Sequence, residues 1–216
     1  MRRREARRTW SAGSFGFARE SLRVASTIQP DRYGPIFAEL LQIDRRRALD
    51  GGTPETAAQG RLESLTVERA FADTGVVDVD MARCCLAGVW LLHDFLDQSH
   101  TLSQGVSTVS GSFWHGIMHR REGDFSNAKY WFHRVGDHPL YPQLAEAVGA
   151  LADQPGAANV APRIVAAGAW DAFAFVDACQ QNVHQTGDQA DFCRRVQQVE
   201  WERLFDYCYR GAVRRA

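Results

Sequence analysis

The sequence predicts an all-α protein, built as a single-domain helical bundle or as an array of antiparallel helices. Apolar residues recur with helical spacing along nearly the whole chain, and no alternating strand pattern of useful length interrupts them. Residues that cap or stop helices separate the apolar stretches. The 216 residues, 45% of them hydrophobic, are enough to bury one core of ordinary size without disulfide or metal staples.

The first half of the chain is expected to contain three helices. Apolar spacing, together with flanking proline and glycine residues, predicts them over residues 35–50, 62–71 and about 81–100. A polar linker is expected over residues 53–60. An aspartate just before the third helix is in position to cap it.

The second half is expected to contain five further helices after a Ser, Thr and Gly loop over residues 101–112. They are predicted at residues 113–122, 124 to about 136, 142–152, 163–184 and 188–210. Gly123 should end the first of these helices, and Asp124 should cap the next one.

The N-terminal residues 1–25 are expected to form a flexible basic tail, and residues 26–216 a single all-α domain. Five of the first eight residues are arginine, and no apolar segment typical of a secretory signal follows them. The five cysteines show no paired metal-ligand spacing and are typical of reduced core residues. We therefore expect a cytoplasmic protein.

The composition argues against nucleic acid and membranes as partners. The formal net charge is −1, so no global positive field attracts nucleic acid or an anionic membrane. No apolar run approaches the ~20 residues of a membrane-spanning helix. A small-molecule ligand is the expected partner, and the oligomeric state is left open.

Two consecutive predicted helices each carry potential metal ligands at positions i, i+4 and i+7. They are His93, Asp97 and His100 on the first helix, and His115, His119 and Glu122 on the second. Each set lies on one helical face, and antiparallel packing would bring the two faces together in the bundle interior. The four histidines and Asp97 are the candidate ligands for a divalent metal such as zinc, iron, manganese or nickel. The alternative is a group of buried histidines that are hydrogen-bonded for structural reasons.

Lys129 is the single lysine of the chain, against 24 arginines. Arginine cannot replace lysine where a compact or deprotonatable amine is needed. His133 lies one helical turn away, and its imidazolium would favour the neutral amine, which makes Lys129 a candidate nucleophile or base. The alternative is a surface lysine left by chance in an arginine-rich chain.

Lys129 completes a set of candidate catalytic residues, and further polar residues nearby are candidates for binding an anionic substrate. The catalytic candidates are His93, Asp97, His115, His119, Glu122 and Lys129, and the substrate-binding candidates are Arg120, Arg121, Asn127, Tyr130 and Trp114. Arginine offers a two-pronged fork to a carboxylate or phosphate. The alternative for the two arginines is a salt-bridged helix end.

Residues 112–139 resemble one unit of a tetratricopeptide repeat. Gly116 matches the glycine of the repeat's first helix, Ala128 and Phe132 match the pair of its second helix, and Pro139 lies within one residue of its final proline. No second copy is visible at the same period. The resemblance implies a helical hairpin in which His115 and His119 point inward.

Two segments resemble a group of uncharacterised bacterial and fungal proteins. They are His93-Asp94-Phe95-Leu96-Asp97-Gln98-Ser99-His100 and the stretch from Trp114 to Phe132. The resemblance implies a shared fold and site but supplies no activity. Asp94, directly after His93, also resembles the metal-binding His-Asp pair of helical phosphohydrolases.

Two functional hypotheses follow from the sequence. The first is a small-molecule enzyme, metal-assisted, whose site lies between the two histidine-bearing helices and takes an anionic substrate. The second is a non-catalytic helical binding or scaffold protein in which the polar cluster only fixes helix packing.

Overall fold

Helices account for nearly all regular structure in residues 28–213, the part of the chain that the computed structural model describes. Within this range eleven α-helices pack around one apolar core, which confirms the all-α prediction. The expected basic tail, residues 1–25, lies outside the described residues.

The helices are numbered in chain order. They are α1 Pro35–Leu40, α2 Thr56–Glu63, α3 Val67–Ala70, α4 Val79–Leu92, α5 Leu96–Gln104, α6 Val109–Glu122, α7 Phe125–Val135, α8 Tyr141–Gly149, α9 Ala157–Ile164, α10 Ala172–Asn182 and α11 Asp188–Ala212. A 3-10 turn, Pro30–Tyr33, precedes α1, and two short antiparallel strands, β1 Val165–Ala166 and β2 Ala169–Trp170, follow α9. None of the helices in the described range combines the length and apolar character needed to cross a membrane.

The centre of the core is a close packing of α4, α6 and α11. The indole Nε1 of Trp201 on α11 donates a hydrogen bond of 2.9 Å to the carbonyl oxygen of Gly88 on α4. The Trp114 ring on α6 lies 5.9 Å from the Trp201 ring. A Cβ atom at Gly88 would lie only 2.8 Å from the Trp114 ring, so glycine allows the indole to reach the α4 backbone.

Helices α6 and α7 form the hairpin that the sequence predicts. Gly123 ends α6 in the left-handed conformation, with φ at 90°. The Asp124 side chain accepts a hydrogen bond of 3.0 Å from the backbone N–H of Asn127 and caps α7. At the contact between the helices, a Cβ atom on Gly116 would lie 3.1 Å from the Phe132 ring. The glycine and phenylalanine of the repeat-like pattern therefore pack directly against each other.

The long helix expected over residues 81–100 is instead two helices, α4 and α5, separated at Asp94. Asp94 has a φ of 63°, in the left-handed region that aspartate tolerates better than most residues. Its buried carboxylate pairs with Arg47 and, at 2.7 Å, with Arg121. The break removes the i, i+4, i+7 relationship between His93 and the residues of α5.

Other expected boundaries are also wrong. The first helix ends at Leu40 instead of near residue 50, and two of the arginines that follow pair with distant carboxylates, Arg45 with Glu202 at 2.9 Å and Arg47 with Asp94. The expected linker 53–60 contains the start of α2, and the expected loop 101–112 is largely helical.

A hairpin turn interrupts the helix expected over residues 163–184. Ala167 and Gly168 have φ values of 50° and 79°. Two consecutive positive φ angles are the requirement of a two-residue type I′ hairpin turn. The chain therefore reverses between β1 and β2 before α10 begins.

Candidate metal centre

Three histidines converge where α5 packs against α6. One ring nitrogen from each of His100, His115 and His119 lies within 4.8 Å of the other two. The His115 ring centroid is 4.6 Å from that of His100 and 4.7 Å from that of His119. His115 and His119 are four residues apart on α6, so they share one face of that helix. A metal ion coordinated by all three would connect α5 to α6.

The two histidines of α6 are deeply buried. His115 is 1% and His119 is 5% exposed, whereas His100 is half-buried. Burial, followed by the neighbouring His119 and His100, lowers the pKa of His115 to about 3. Burial is also the largest cause of the lowered pKa of His119. Both rings are therefore neutral at pH 7, and protons do not compete with a metal ion for them.

Hydrogen bonds fix the tautomer of both buried rings. The Ser103 hydroxyl donates to the Ser99 carbonyl oxygen at 2.8 Å, so at 3.1 Å its Oγ accepts the Nδ1–H of His115. The Nδ1–H of His119 donates to Glu122 at 2.9 Å. The lone pair of each ring is consequently on Nε2. Orientation of ligand histidines by an acceptor at the other nitrogen is typical of metal sites in proteins.

Two side chains of α7 complete the site. The Asn127 side-chain amide lies 3.1 Å from His119 Nε2 and donates to it in the tautomer described above. The Trp131 ring centroid lies 4.0 Å from that of His115. Coordination by His119 Nε2 therefore requires the Asn127 amide to move away, while Trp131 forms a wall beside His115.

His93 and Asp97, expected among the ligands, lie outside this group of three. His93 is buried elsewhere, with Nε2 3.0 Å from the carbonyl oxygen of Leu40. Asp97 is exposed on α5. Asp94, which resembles half of a metal-binding pair, is instead held in ion pairs with Arg47 and Arg121. The break between α4 and α5 explains the separation, because it ends the common face on which the expectation depended.

The candidate substrate arginines are both part of buried ion pairs. Arg120 is fully buried, pairs with Glu200 and stacks 4.5 Å from the Phe175 ring centroid. Arg121 donates to the carbonyl oxygen of Asp50 at 2.7 Å in addition to its pair with Asp94. Arg120 therefore joins α6 to α11, and Arg121 joins α6 to the segments around Asp50 and Asp94, as in the structural alternative.

The remaining candidates divide between the site and other parts of the protein. Glu122 and Asn127 contact His119, as described above. Lys129 reaches across to α10 and pairs with Asp177 at 2.6 Å. Tyr130 is 54% exposed, and Trp114 is fully buried in the core.

The candidate residues named from the sequence include neither Ser103 nor Trp131. Ser103 lies three residues after His100, one turn along the same helix, which was the available signal. Trp131 lies between exposed Tyr130 and buried Phe132, and neighbouring helical residues differ by about 100° in direction. This difference in direction was the available signal for Trp131, whose ring lies against His115.

Comparisons of this chain with protein-family models, with curated proteins and with solved structures find no match. The chemistry of the site therefore carries the functional argument. Three imidazoles on two helices suit a tetrahedral divalent ion, with the fourth position left for water or a substrate. A metal ion in such an open site lowers the pKa of bound water and generates a nucleophile at neutral pH.

Proposed function

We propose that the protein is a metal-dependent enzyme that binds one divalent transition metal ion through His100, His115 and His119. Zinc is the first candidate, because imidazole is among its preferred ligands and three protein ligands are usual in its catalytic sites. The reaction class that this arrangement supports best is hydrolysis of a small molecule by metal-activated water. The supporting observation is the convergence of three histidines, of which the two buried ones are neutral and oriented.

The side chains around the histidines have distinct roles in this proposal. Glu122 accepts the Nδ1–H of His119, which increases the electron density at Nε2 and strengthens coordination. Ser103 does the same for His115, more weakly, because its hydroxyl is neutral. Asn127, once it releases His119 Nε2, leaves an amide beside the open coordination position, where it can hydrogen-bond bound water or substrate.

A second candidate function is a non-catalytic helical scaffold, and one observation favours it. Two of the three rings are hydrogen-bonded to neighbouring side chains, His115 to Ser103 and His119 to Glu122 and Asn127, as they would be in a purely structural cluster. The α6–α7 hairpin, which resembles a tetratricopeptide unit, also suits a binding protein. Metal binding separates the two candidates, because a structural cluster has no need for an ion.

The test is metal content followed by activity. Purified protein without an affinity tag is loaded with zinc, desalted and analysed by mass spectrometry for moles of zinc per chain. The proposal expects one zinc ion in the wild type and in the control variant His184→Ala, whose histidine is exposed in the turn after α10. It expects a loss of bound zinc in His115→Ala and His119→Ala.

A second measurement addresses the reaction. Chromogenic carboxylic and phosphoric esters are used as generic hydrolysis probes, with and without a chelator. Hydrolysis that requires zinc and is lost in His115→Ala supports the proposal. If the protein binds one zinc ion per chain but hydrolyses neither class of ester, the metal site is supported and the hydrolytic reaction class is contradicted.

A further inference from the structure

A second potential binding site lies between α8 and α11, formed by residues other than the histidine cluster. It is a cavity of about 460 Å³, lined on α11 by Arg203, Asp206, Tyr207 and Arg210. Leu140 and Gln143, from the start of α8, lie across it. The volume is within the range of small-molecule sites, roughly 300–1,000 Å³.

The charges in this cavity do not balance locally. Asp206 accepts a hydrogen bond of 2.9 Å from the Tyr33 hydroxyl and pairs with Arg210 at 2.7 Å. Arg203 lies three residues before Asp206 on α11. It has no hydrogen bond or ion pair with any other described residue, and its Nε is shielded from solvent. One guanidinium charge is left in the cavity without a carboxylate.

This arrangement differs from that of three more deeply buried arginines of the described chain. Arg120 pairs with Glu200, Arg121 pairs with Asp94 and Arg45 pairs with Glu202. Arg203 is partly buried, and its Nε is shielded from solvent without an acceptor, which costs folding free energy. A ligand that supplies the missing negative charge would compensate for this cost.

We propose that this cavity binds a small organic anion through a phosphate or carboxylate group held by Arg203. A guanidinium matches either group with two parallel hydrogen bonds. Gln143 and Tyr207 offer neutral hydrogen-bonding groups to the remaining oxygens, and Leu140 offers an apolar wall to the carbon part of the ligand. The proposal does not depend on the metal site, because no residue is common to the two.

The test is isothermal titration calorimetry with three probes at constant ionic strength: inorganic phosphate, phenyl phosphate and benzoate. The wild type is expected to bind at least one probe at one site per chain. Arg203→Met keeps most of the side-chain length and removes the charge, and should weaken binding by about tenfold or more. Arg194→Met is the matched control, because Arg194 lies on the same helix and pairs with Asp191 outside the cavity. It should bind like the wild type.

The probes also identify the class of ligand. Tighter binding of phenyl phosphate than of benzoate supports a phosphorylated ligand, and the reverse order supports a carboxylate. Arg203→Lys keeps the charge without the fork, so it provides a second test if Arg203→Met does not fold, and it should bind more weakly than the wild type. The titrations use zinc-free protein, so that an anion bound to a metal ion at the histidine cluster does not contribute.

Two results would overturn the proposal. One is the absence of saturable binding of all three probes to the wild type at millimolar concentrations. The other is an unchanged affinity in a folded Arg203 variant, which would place the anion elsewhere on the protein. Circular dichroism of each variant establishes that it is folded before titration.

Discussion

Nδ1 of His119 lies 2.9 Å from a carboxylate oxygen of Glu122, one helical turn further along α6. The contact fixes the ring so that Nε2 carries the lone pair, and it places a negative charge behind a potential metal ligand. We expect Glu122→Gln to weaken zinc binding by about 10-fold to 100-fold, because loss of such a partner has that typical effect on metal affinity. Competition with a fluorescent zinc chelator measures the zinc affinity of each variant. Glu146→Gln is the control, because Glu146 is exposed on another helix. Equal zinc affinity in wild type and Glu122→Gln would argue against a role for the carboxylate.

Asn127 is expected to oppose metal binding in the unliganded protein. Its amide donates to the nitrogen of His119 that a metal ion requires, at 3.1 Å. Removing the amide in Asn127→Ala frees this nitrogen, and one neutral hydrogen bond corresponds to about 0.5–1.5 kcal/mol. We therefore expect zinc affinity to rise about twofold to tenfold, and Asn159→Ala, an exposed asparagine on α9, to leave it unchanged. A weaker affinity in Asn127→Ala would show that the amide supports the bound state instead.

The stability of the metal-free protein should fall as the pH is lowered. The folded-state pKa of His115 is lowered to about 3, whereas its unfolded-state pKa is near the ordinary value of about 6.5. Between these values the unfolded chain binds one more proton than the folded protein, so falling pH favours unfolding. This residue contributes a slope of at most about 1.4 kcal/mol per pH unit over that window.

Urea unfolding between pH 4 and pH 7 checks this expectation. Burial lowers the pKa of His138 to about 4, so His138 contributes in the same direction. The wild-type protein therefore takes up more than one proton on unfolding in part of this pH range. His115→Gln should lower the number of protons taken up on unfolding by about one, and His184→Gln, at an exposed histidine, should leave this number unchanged. An identical slope in wild type and His115→Gln would contradict burial of a neutral imidazole at this position.

Lys129 is expected to tolerate replacement by arginine. Lys129 pairs with Asp177, and the two side chains are 35% and 40% exposed, respectively. Exposed ion pairs contribute about 0–1 kcal/mol to stability. Lys129→Arg should shift the free energy of unfolding by less than about 0.5 kcal/mol and leave zinc affinity unchanged. Thermal and urea unfolding beside Lys129→Met measure this. A loss of zinc binding in Lys129→Arg would instead restore the catalytic hypothesis for the single lysine.

The buried pair of Arg120 and Glu200 should be costly to break on one side only. Both side chains are fully buried, so removing one leaves the other charge without compensation. Arg120→Met is expected to destabilise the protein by about 3–5 kcal/mol, and the double variant with Glu200→Leu should recover much of this loss. A double variant as unstable as Arg120→Met would show that packing around the guanidinium, and not the stranded charge, dominates.

The parts of the fold that the sequence predicts correctly depend on local signals. Gly123 and Asp124 end one helix and cap the next within two residues of each other, so the α6–α7 hairpin is readable from the sequence. The spacing of His115 and His119 likewise places both rings on one helical face. No long-range contact is needed for either inference.

The parts that the sequence predicts wrongly depend on distant partners. The break at Asp94 is held by Arg47 and Arg121, which lie 47 and 27 residues away along the chain. Nothing in the periodicity of residues 81–100 signals these ion pairs, so one continuous helix was expected there. Such a helix would have placed His93 and His100 on the same face. For the same reason Arg121 was expected near a ligand, although its partner is buried in the core.

X-ray absorption at the zinc edge of the loaded protein tests the metal-site account most directly, because it reports the atoms bound to the ion. The account predicts scattering from three imidazole rings and from one further oxygen or nitrogen ligand, with zinc–nitrogen distances of about 2.0–2.1 Å. His119→Ala should lose at least one imidazole, and His184→Ala should give the wild-type spectrum. A spectrum dominated by sulfur, or one without imidazole scattering, would contradict the assignment of His100, His115 and His119 as a metal centre.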